Sequence, residues 1–239
     1  MRIEVLADAG AVARRAADVV CAAVRSRPDG VLGLPTGGTP IPMYAELRRR
    51  VKDGSCEFSR ATAYAIDEFF DATAETPGTN NAFYREHARI GLRALRCPDP
   101  AAADAAAHIR DFAEEIRRAG GLDLCVLGIG TNGHIAFNEP GSVRATRARV
   151  VDLTLRSREA HAATFGGLEL VPSRGMTLGI ADLLEARSIL VLATGAAKAA
   201  IAQAAIEGPE TAEVPASWLR GRGDVTWLLD REATSLLRG

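Results

Sequence analysis

Short runs of apolar residues alternate along this chain with longer stretches in which apolar positions recur every three or four residues. The short runs are typical of buried strands and the longer stretches of amphipathic helices. We predict strands at residues 1–6, 31–34, 62–66, 122–127, 188–193 and 225–229. We predict helices at residues 11–24, 40–51, 83–95, 100–118 and 196–207. This alternation predicts a single α/β domain, residues 1–239, with a Rossmann-like, mostly parallel sheet and helices on both faces.

One stretch, residues 142–171, follows neither period, because its apolar positions are scattered among Arg and Thr. The pattern therefore predicts no element there. The chain shows no internal repeat and no linker that would divide it.

The composition narrows the class of partner. At 239 residues and 47% hydrophobic content, the chain can bury a sizeable core. A net charge of -1 provides no general attraction for nucleic acid or an anionic membrane. No apolar run approaches the roughly 18 residues of a membrane span. The four cysteines show no CxxC pairing, so we expect reduced thiols and a cytoplasmic protein that takes a small molecule.

The loop after the predicted strand at 122–127 carries the clearest chemistry. It reads GIGTNGHIAFNEPG and places His134 among glycines, with Glu139 close behind. Glycines let the backbone, including that of Gly130, come close to a ligand. A histidine changes charge near neutral pH, and a carboxylate can hold its proton. We therefore predict an active-site loop; a structural turn with a surface histidine is the alternative.

The same loop also fits the GxGxxG spacing of dinucleotide-binding proteins through Gly128, Gly130 and Gly133, with Asp152 about 20 residues further on. That fingerprint requires a helix directly after the glycines. Pro140 and Gly141 force a turn before a useful helix could form, so we do not favour binding of a nicotinamide cofactor.

Two further loops offer an anion site. Thr36, Gly37, Gly38 and Thr39 lie between a predicted strand and a helix, and residues 194–198 form a similar turn that includes Lys198. Free backbone N–H groups at helix starts, together with a lysine, favour a phosphate. Neither loop has the spacing of a nucleotide triphosphate site, so a small phosphorylated metabolite is the better expectation, although either loop alone could be an ordinary helix start.

A buried-looking carboxylate ends the third predicted strand. Asp67 stands between Ile66 and the apolar pair Phe69-Phe70, a flank that would desolvate its carboxyl and make it a stronger base. An aspartate that merely caps a turn is the alternative. The remaining histidines lie in charged or Ala-rich stretches, and we expect them at the surface: His87, His108 and His161. No metal-ligand spacing occurs, so no metal is predicted.

The order of these motifs resembles the glucosamine-6-phosphate deaminases, members of a wider group that includes the 6-phosphogluconolactonases. The matching segments cover most of the chain: residues 34–40, 66–69, 128–142, 171–172, 176–179, 194–198 and 215–217. After Gly133-His134, the sequence IAFNEP is similar to the deaminases, whereas the lactonases characteristically have Thr after the histidine and lack Glu139.

The resemblance implies conversion of an aminosugar 6-phosphate and water to a ketose 6-phosphate and ammonia, without a cofactor. His134 would open the sugar ring with help from Glu139, and Asp67 would move the C2 proton to C1. Lys198 and the amides of residues 37–39 would hold the phosphate. The resemblance leaves the choice of glucosamine or galactosamine open.

The chain departs from the resembled pattern in two places. Asn132 stands where many relatives carry an aspartate, so Glu139 would be the only acidic partner of His134. Relatives also tend to have a phosphate-binding arginine before Val171-Pro172, where this chain has none, and we expect Arg174 or Arg158 to replace it. Longer members form allosteric hexamers, and we expect this chain to be a monomer or a small homo-oligomer without such control.

Two other functions remain open from the sequence. One is a hydrolase of the lactonase type that activates water on a sugar-phosphate ester, and Glu139 is the residue that argues against it. The other is a sugar-phosphate sensor without turnover. A sensor would not need a base at a strand end, so Asp67 together with His134 argues against it.

Overall fold

The computed structural model describes residues 1–238, so the last residue of the predicted domain, 239, lies outside the described part. Ten strands occur there: β1 (Arg2–Leu6), β2 (Val31–Leu34), β3 (Thr62–Ala65), β4 (Asp67–Phe70), β5 (Ala94–Arg96), β6 (Leu124–Gly128), β7 (Arg149–Asp152), β8 (Arg174–Thr177), β9 (Ile189–Ala193) and β10 (Val225–Asp230). Seven α-helices occur among the same residues: α1 (Ala9–Ser26), α2 (Ile41–Lys52), α3 (Asn80–His87), α4 (Ala105–Arg118), α5 (Leu155–Phe165), α6 (Ile180–Leu183) and α7 (Ala199–Glu207). The alternation of strand and helix is the predicted α/β pattern.

Seven strands form one parallel sheet in the order β1-β10-β9-β6-β2-β3-β5. Its central strands are apolar on both faces, since β2, β3 and β9 contain only buried residues. One core cluster packs α1 and α2 against one face of the sheet, and the other packs α4 and α7 against the opposite face. The predicted fold, a mostly parallel sheet covered on both faces, is confirmed.

The order of the strands creates a switch point between β2 and β6. From β2 the chain proceeds outward through β3 to β5, whereas from β6 it proceeds the other way through β9 to β10, which lies beside the edge strand β1. Loops that leave adjacent strands in opposite directions open a crevice at the carboxyl ends of the strands. The topology therefore places a cleft beside the loops that follow β2 and β6.

A second, antiparallel sheet was not predicted. It contains β4, β8 and β7 in that order, with Asp67 opposite Thr177 in the register of β4 and β8. The chain does not turn into a loop after β3. It passes Ile66 and begins β4 at Asp67, so the carboxylate expected at a strand end instead begins a strand of the second sheet.

Two predicted helices have different bounds in the structure. The helix expected at 83–95 is α3, Asn80–His87, and Gly91 with a φ of 75° breaks the chain before the short strand β5. The helix expected at 100–118 begins at Ala105, because the Asp104 carboxylate caps it by accepting a hydrogen bond from the Ala107 N–H. Strong alanine propensity does not start a helix without such a cap.

No helix among residues 1–238 is long and apolar enough to cross a bilayer. All four cysteines are free thiols, and Cys21, Cys56 and Cys125 are buried. They pack as small apolar side chains.

Candidate active site

A cavity of about 240 Å³ opens at the carboxyl ends of the parallel strands, at the switch point between β2 and β6. Each of the loops singled out in the sequence contributes to its wall: residues 35–40, Asp67, residues 128–132 with His134, and Lys198. Helix α5 closes the remaining side with Arg156, Ser157, Ala160 and His161. These loops therefore share one crevice with a face of α5, which no apolar pattern indicated.

The loop from Thr36 to Thr39 presents backbone to the cavity just before α2. Gly37 has a φ of 97°, a region that favours glycine, and a Cβ added at Gly37 or Gly38 would meet no atom within 4 Å. The open space beside these residues is the cavity itself. An anion can therefore approach their N–H groups closely at the start of a helix whose dipole favours negative charge.

Lys198 lines the same cavity as this loop. The Gly195 N–H donates to both carboxylate oxygens of Asp230, at 3.0 Å each, and this contact shapes the turn that carries Lys198. Burial and the positive charge of Arg156 lower the pKa of Lys198. Two cations that repel each other beside a glycine loop favour binding of a multiply charged anion.

Asp67 lies at the floor of the cavity and is only 6% exposed. Burial, assisted by the neighbouring charge of Glu68, raises the pKa of the Asp67 carboxyl to about 8, although a hydrogen bond from Asn80 opposes the shift. A carboxylate of that pKa is a far stronger base than an exposed aspartate, and its pKa lies close to working pH. The sequence argument that an apolar flank would raise its basicity agrees with this position.

Glu68 lies beside Asp67 but has a different environment. Its carboxylate accepts hydrogen bonds from the N–H groups of Phe69, Asn80 and Asn81 and from the Asn81 side chain, at 2.7–2.9 Å. These donors belong largely to the first turn of α3. Glu68 therefore anchors the helix start rather than facing the cavity.

His134 and Glu139 form a pair within the loop after β6. His134 Nδ1 lies 3.7 Å from Glu139 Oε2, beyond hydrogen-bond distance but close enough for charge attraction. Burial opposes the charge on Glu139, but His134, the Ser157 hydroxyl and the Asn132 amide outweigh it and lower the pKa of Glu139. Glu139 is thus held as an anion beside the imidazole.

Asn132 contacts both partners without touching the imidazole. Its amide nitrogen donates to Glu139 Oε2 at 2.7 Å, and its amide oxygen accepts from the backbone N–H of His134 at 3.2 Å. The Asn132 amide oxygen thus orients the backbone of His134 and not its ring. His134 Nδ1 is buried with no hydrogen-bond partner among the described residues, so Glu139 is its nearest acid.

Glycine is required at position 130 by the imidazole itself. A Cβ at Gly130 would lie 2.4 Å from His134 Cε1, which is far inside contact distance. The loop closes on itself through the bond from the Gly130 N–H to the His134 carbonyl oxygen at 2.9 Å. No helix follows these glycines, since the next one along the chain is α5, so the dinucleotide fingerprint is absent.

Arg174 and Arg158 do not line the cavity. The Arg174 guanidinium pairs with Asp71 at 2.6 Å and stacks 4.8 Å above the Phe70 ring. Arg158 donates to the carbonyl oxygens of Leu168 and Val171. Proximity in sequence was a poor guide, because the second sheet and the far side of α5 take these side chains away. Arg156, which the sequence argument overlooked, lies in the cavity wall with Lys198.

His161 is not the surface residue that the sequence suggested. Its ring lines the cavity and packs edge-on against Phe69 at 5.1 Å between centroids. Burial and the nearby His134 lower its pKa, so its imidazole is held neutral. One helix face carries the four residues of α5 that line the cavity: Arg156, Ser157, Ala160 and His161. This spacing is the sequence signal from which their shared position could have been predicted. A polar face turned toward a cleft has no apolar stripe, which is why residues 142–171 showed no period.

The fold and the cleft together define an α/β protein equipped for acid–base chemistry on a small anionic molecule. Comparison with known proteins makes this specific. The sequence model described as glucosamine-6-phosphate isomerases/6-phosphogluconolactonase matches residues 6–227. The chain belongs to this family.

The chain is 38% identical over 241 residues to a glucosamine-6-phosphate deaminase of Halothermothrix orenii, covering 99% of this chain and 100% of the relative. It is equally similar to a deaminase of Rhodopirellula baltica, with 99% and 96% covered. A solved monomeric glucosamine-6-phosphate deaminase superposes with a TM-score of 0.95 at 32% identity, covering 99% and 100%. A 6-phosphogluconolactonase from Shewanella baltica shares the fold, with a TM-score of 0.74 at 17% identity and 96% and 97% covered.

Proposed function

We propose that the protein converts an aminosugar 6-phosphate, glucosamine 6-phosphate in the first place, and water to the ketose 6-phosphate and ammonia. The observation that carries this proposal is that one cavity is lined both by Asp67, a buried carboxyl of raised pKa, and by His134, whose imidazole has Glu139 beside it. Full-length relatives named glucosamine-6-phosphate deaminase support the choice of reaction.

The 6-phosphate would bind between the Gly37-Gly38 amides and the cations of Lys198 and Arg156, which all line the cavity. Fixing the phosphate places the other end of the sugar toward Asp67 and His134. Binding energy from a group that does not react can in this way orient the carbons that do. No metal or cofactor is needed for these steps.

His134 would open the sugar ring. Its imidazole takes the proton of the C1 hydroxyl and returns one to the ring oxygen, which breaks the C1–O5 bond and leaves a C1 aldehyde beside the C2 amine. During this transfer the imidazole is transiently charged. The anionic Glu139, 3.7 Å from Nδ1, stabilises that charge, and Asn132 holds Glu139 in place.

Asp67 would then carry out the isomerisation. Its ionised carboxylate removes the C2 proton while the C1 aldehyde oxygen takes a proton from the substrate's own ammonium group, giving an enol at C1 that carries a neutral amine at C2. The protonated carboxyl returns the proton to C1, and the product is an imine at C2. Water adds to the imine carbon and ammonia leaves, so the ketose 6-phosphate is formed. A pKa of about 8 suits a carboxyl that must both accept and donate a proton.

Ammonia release from glucosamine 6-phosphate, galactosamine 6-phosphate and 6-phosphogluconolactone, measured side by side with lactone hydrolysis, tests the proposal. We expect ammonia from glucosamine 6-phosphate and no accelerated hydrolysis of the lactone. Faster release from galactosamine 6-phosphate would change the substrate but retain the chemistry. Lactone hydrolysis without ammonia would replace the proposal by a hydrolase, and binding without any turnover would replace it by a sensor.

We further propose that the chain acts as one domain and as a monomer or small homo-oligomer in the cytoplasm. A solved relative that superposes with a TM-score of 0.95 is a monomeric glucosamine-6-phosphate deaminase, which supports this assembly. The four free cysteines fit a reducing compartment. Sedimentation of the active protein with and without substrate measures the assembly, and a hexamer or larger form would contradict the proposal.

A further inference from the structure

A single buried side chain connects the anion-binding loop to the base. Asn80 is 2% exposed. Its amide nitrogen lies 2.6 Å from Asp67 Oδ1 and 2.9 Å from the Asp67 carbonyl oxygen, and its amide oxygen accepts from the Thr36 hydroxyl at 2.9 Å. Asn80 is the first residue of α3. It lies 13 residues after Asp67 and 44 residues after Thr36 in the chain. None of the catalytic steps above uses it.

The orientation of the Asn80 amide follows from its partners. Both Asp67 atoms that it contacts, a carboxylate oxygen and a carbonyl oxygen, are acceptors when Asp67 is ionised. The NH₂ group must therefore face Asp67. This leaves the amide oxygen for Thr36, whose hydroxyl hydrogen is then committed to Asn80. The 6-phosphate must take its donors from the backbone N–H groups and the cations.

Glu68 fixes the position of Asn80. Its carboxylate accepts from the Asn80 N–H at 2.9 Å and from the Asn81 N–H at 2.7 Å, which locks the first turn of α3 against β4. A negative charge at this end of a helix is favourable. Asn80, at the start of α3, thus links the two adjacent carboxylates. Its backbone N–H donates to Glu68 and its side-chain amide donates to Asp67.

We propose that Asn80 is a positioning residue that holds the Asp67 carboxylate in its reactive orientation and ties that orientation to the Thr36 loop. This inference rests on the proposed function, because it assigns the role of base to Asp67. Asn80 does not line the cavity. It acts by supplying the only side-chain hydrogen bond that Asp67 receives among the described residues.

The surroundings of Asp67 make that hydrogen bond important for its ionisation. Glu68 on β4, Tyr84 on α3 and Cys125 on β6 face it, and their pKa values are all raised by burial, with Asp67 itself adding to the shifts of Tyr84 and Cys125. None of these groups offers a positive charge. The Asn80 amide is the group that stabilises the anion, so its loss should raise the pKa of Asp67 beyond about 8.

Asn80→Ala is the direct test, with kcat and KM measured from pH 6 to 10. We expect kcat to fall about 10- to 100-fold, because the carboxylate is no longer oriented. We expect the acid limb of kcat/KM to move up by about one pH unit, the size expected for loss of one hydrogen bond to a charged group. A purely structural role would lower activity without moving this limb.

Asn81→Ala is the matched control. Asn81 is the next residue of α3 and also contacts Glu68, but it makes no hydrogen bond to Asp67. The Asn81→Ala variant should leave the acid limb of kcat/KM nearly unchanged. Thr36→Val separates the two halves of the bridge: we expect a higher KM with a small shift of the limb, and a double variant whose kcat loss is smaller than the product of the two single losses.

Asn80→Asp keeps the size of the side chain and the acceptor for Thr36 but replaces the donor to Asp67 by a carboxylate oxygen. It should therefore shift the acid limb of kcat/KM at least as far as Asn80→Ala does. It also provides the test if the alanine variant does not fold. An unshifted limb in every folded Asn80 variant, with wild type releasing ammonia, overturns the positioning role alone. If wild type releases none, the proposed function fails instead. In that case the melting temperature is measured against pH for wild type and the Asn80 variants, because this dependence still reports the pKa of Asp67. An unchanged dependence in the variants overturns the positioning role of Asn80.

Discussion

Two adjacent carboxylates, Asp67 and Glu68, differ in role because they differ in hydrogen-bond partners. Glu68 is fully buried and accepts four hydrogen bonds, so its charge is satisfied by the start of α3. Asp67 receives one from a side chain and faces the cavity. Burial raises the pKa of both carboxyls; four hydrogen bonds oppose the shift at Glu68, whereas Asp67 has one from a side chain and reaches a pKa of about 8 while facing the cavity. Nothing in the dipeptide itself distinguishes the two residues.

Arg156 is expected to bind the phosphate, and Arg158 serves as its control. Arg156→Ala removes a cation from the cavity and should raise KM for the sugar phosphate about 10- to 100-fold, the effect of losing a charge-assisted contact. Its kcat should change much less, because the phosphate does not react. Arg158→Ala removes the same side chain from the far side of α5 and should leave KM within about twofold. Equal KM values for both variants would contradict the assignment.

His161 is expected to contact a hydroxyl or the phosphate of the sugar through its ring nitrogens. His161→Phe keeps the edge-on packing against Phe69 but removes both nitrogens. Loss of one neutral hydrogen bond predicts a decrease in kcat/KM of about tenfold, with the melting temperature little changed. Ratios of kcat/KM for the two aminosugar epimers, measured for wild type and variant, show whether the contact is to the C4 hydroxyl. Unchanged kinetics would place His161 in a packing role only.

At the scale of elements, the buried strands of the parallel sheet were predictable, whereas its edge strand β5 and the second sheet were not. Strands such as β6 and β9 are continuous apolar runs because both of their faces are buried. By contrast, β5 has three residues, none of them buried, and β7 has no buried residue in four. Such short, half-exposed strands carry little periodicity, and their pairing with distant strands decides their conformation.

The site was predictable where its chemistry lies in loops and not where it lies on a helix. Glycines, hydroxyls and charged groups after apolar strands identified Thr36, His134 and Lys198. Helix α5 presents Arg156 and His161 on a face turned to the cleft, and the sequence carries no apolar stripe to reveal that face. Asn80 was missed for another reason: it acts through contacts to residues 13 and 44 positions away.

The loop after β6 should tolerate little change at Gly130. Gly130→Ala places a methyl group where the His134 ring lies, 2.4 Å from Cε1, so the ring must move away from Glu139. We expect kcat to fall 100-fold or more, since a shift of about 1 Å can cost that much. Gly128→Ala, at the end of β6, adds a methyl group with no atom within 4 Å and should lose considerably less activity. A greater loss for Gly128→Ala would contradict this account of the loop.

At the scale of the whole molecule, the topology assembles the site. The loops after β2 and β6 meet only because these strands are neighbours at the switch point, although more than 80 residues separate them in the chain. The order of strands cannot be deduced from the apolar pattern, which is the same in every permutation. The site could therefore be predicted only from the general rule that ligands bind at the carboxyl ends of parallel strands.

The base of this site should reduce the stability of the whole protein at alkaline pH. The Asp67 carboxyl has a pKa of about 8 in the folded protein, against an ordinary value of 3.8. Between pH 4 and 8 the folded protein keeps a proton at Asp67 that the unfolded chain has released. The unfolded state thus binds fewer protons, so the contribution of Asp67 to stability falls as pH rises through this window, by several kcal/mol in order of magnitude.

Asp67→Asn should therefore abolish turnover and yet stabilise the fold at pH 8, while near pH 4 its effect should almost vanish. The amide keeps an acceptor for Asn80 and carries no charge to bury. Asp71→Asn makes the same chemical change at an exposed residue and should show only a small difference that varies little across the window. Melting temperatures of wild type and both variants, taken at pH 4, 6 and 8, give the comparison. A stability difference for Asp67→Asn that stays constant from pH 4 to 8 would mean that Asp67 ionises normally and is not the base.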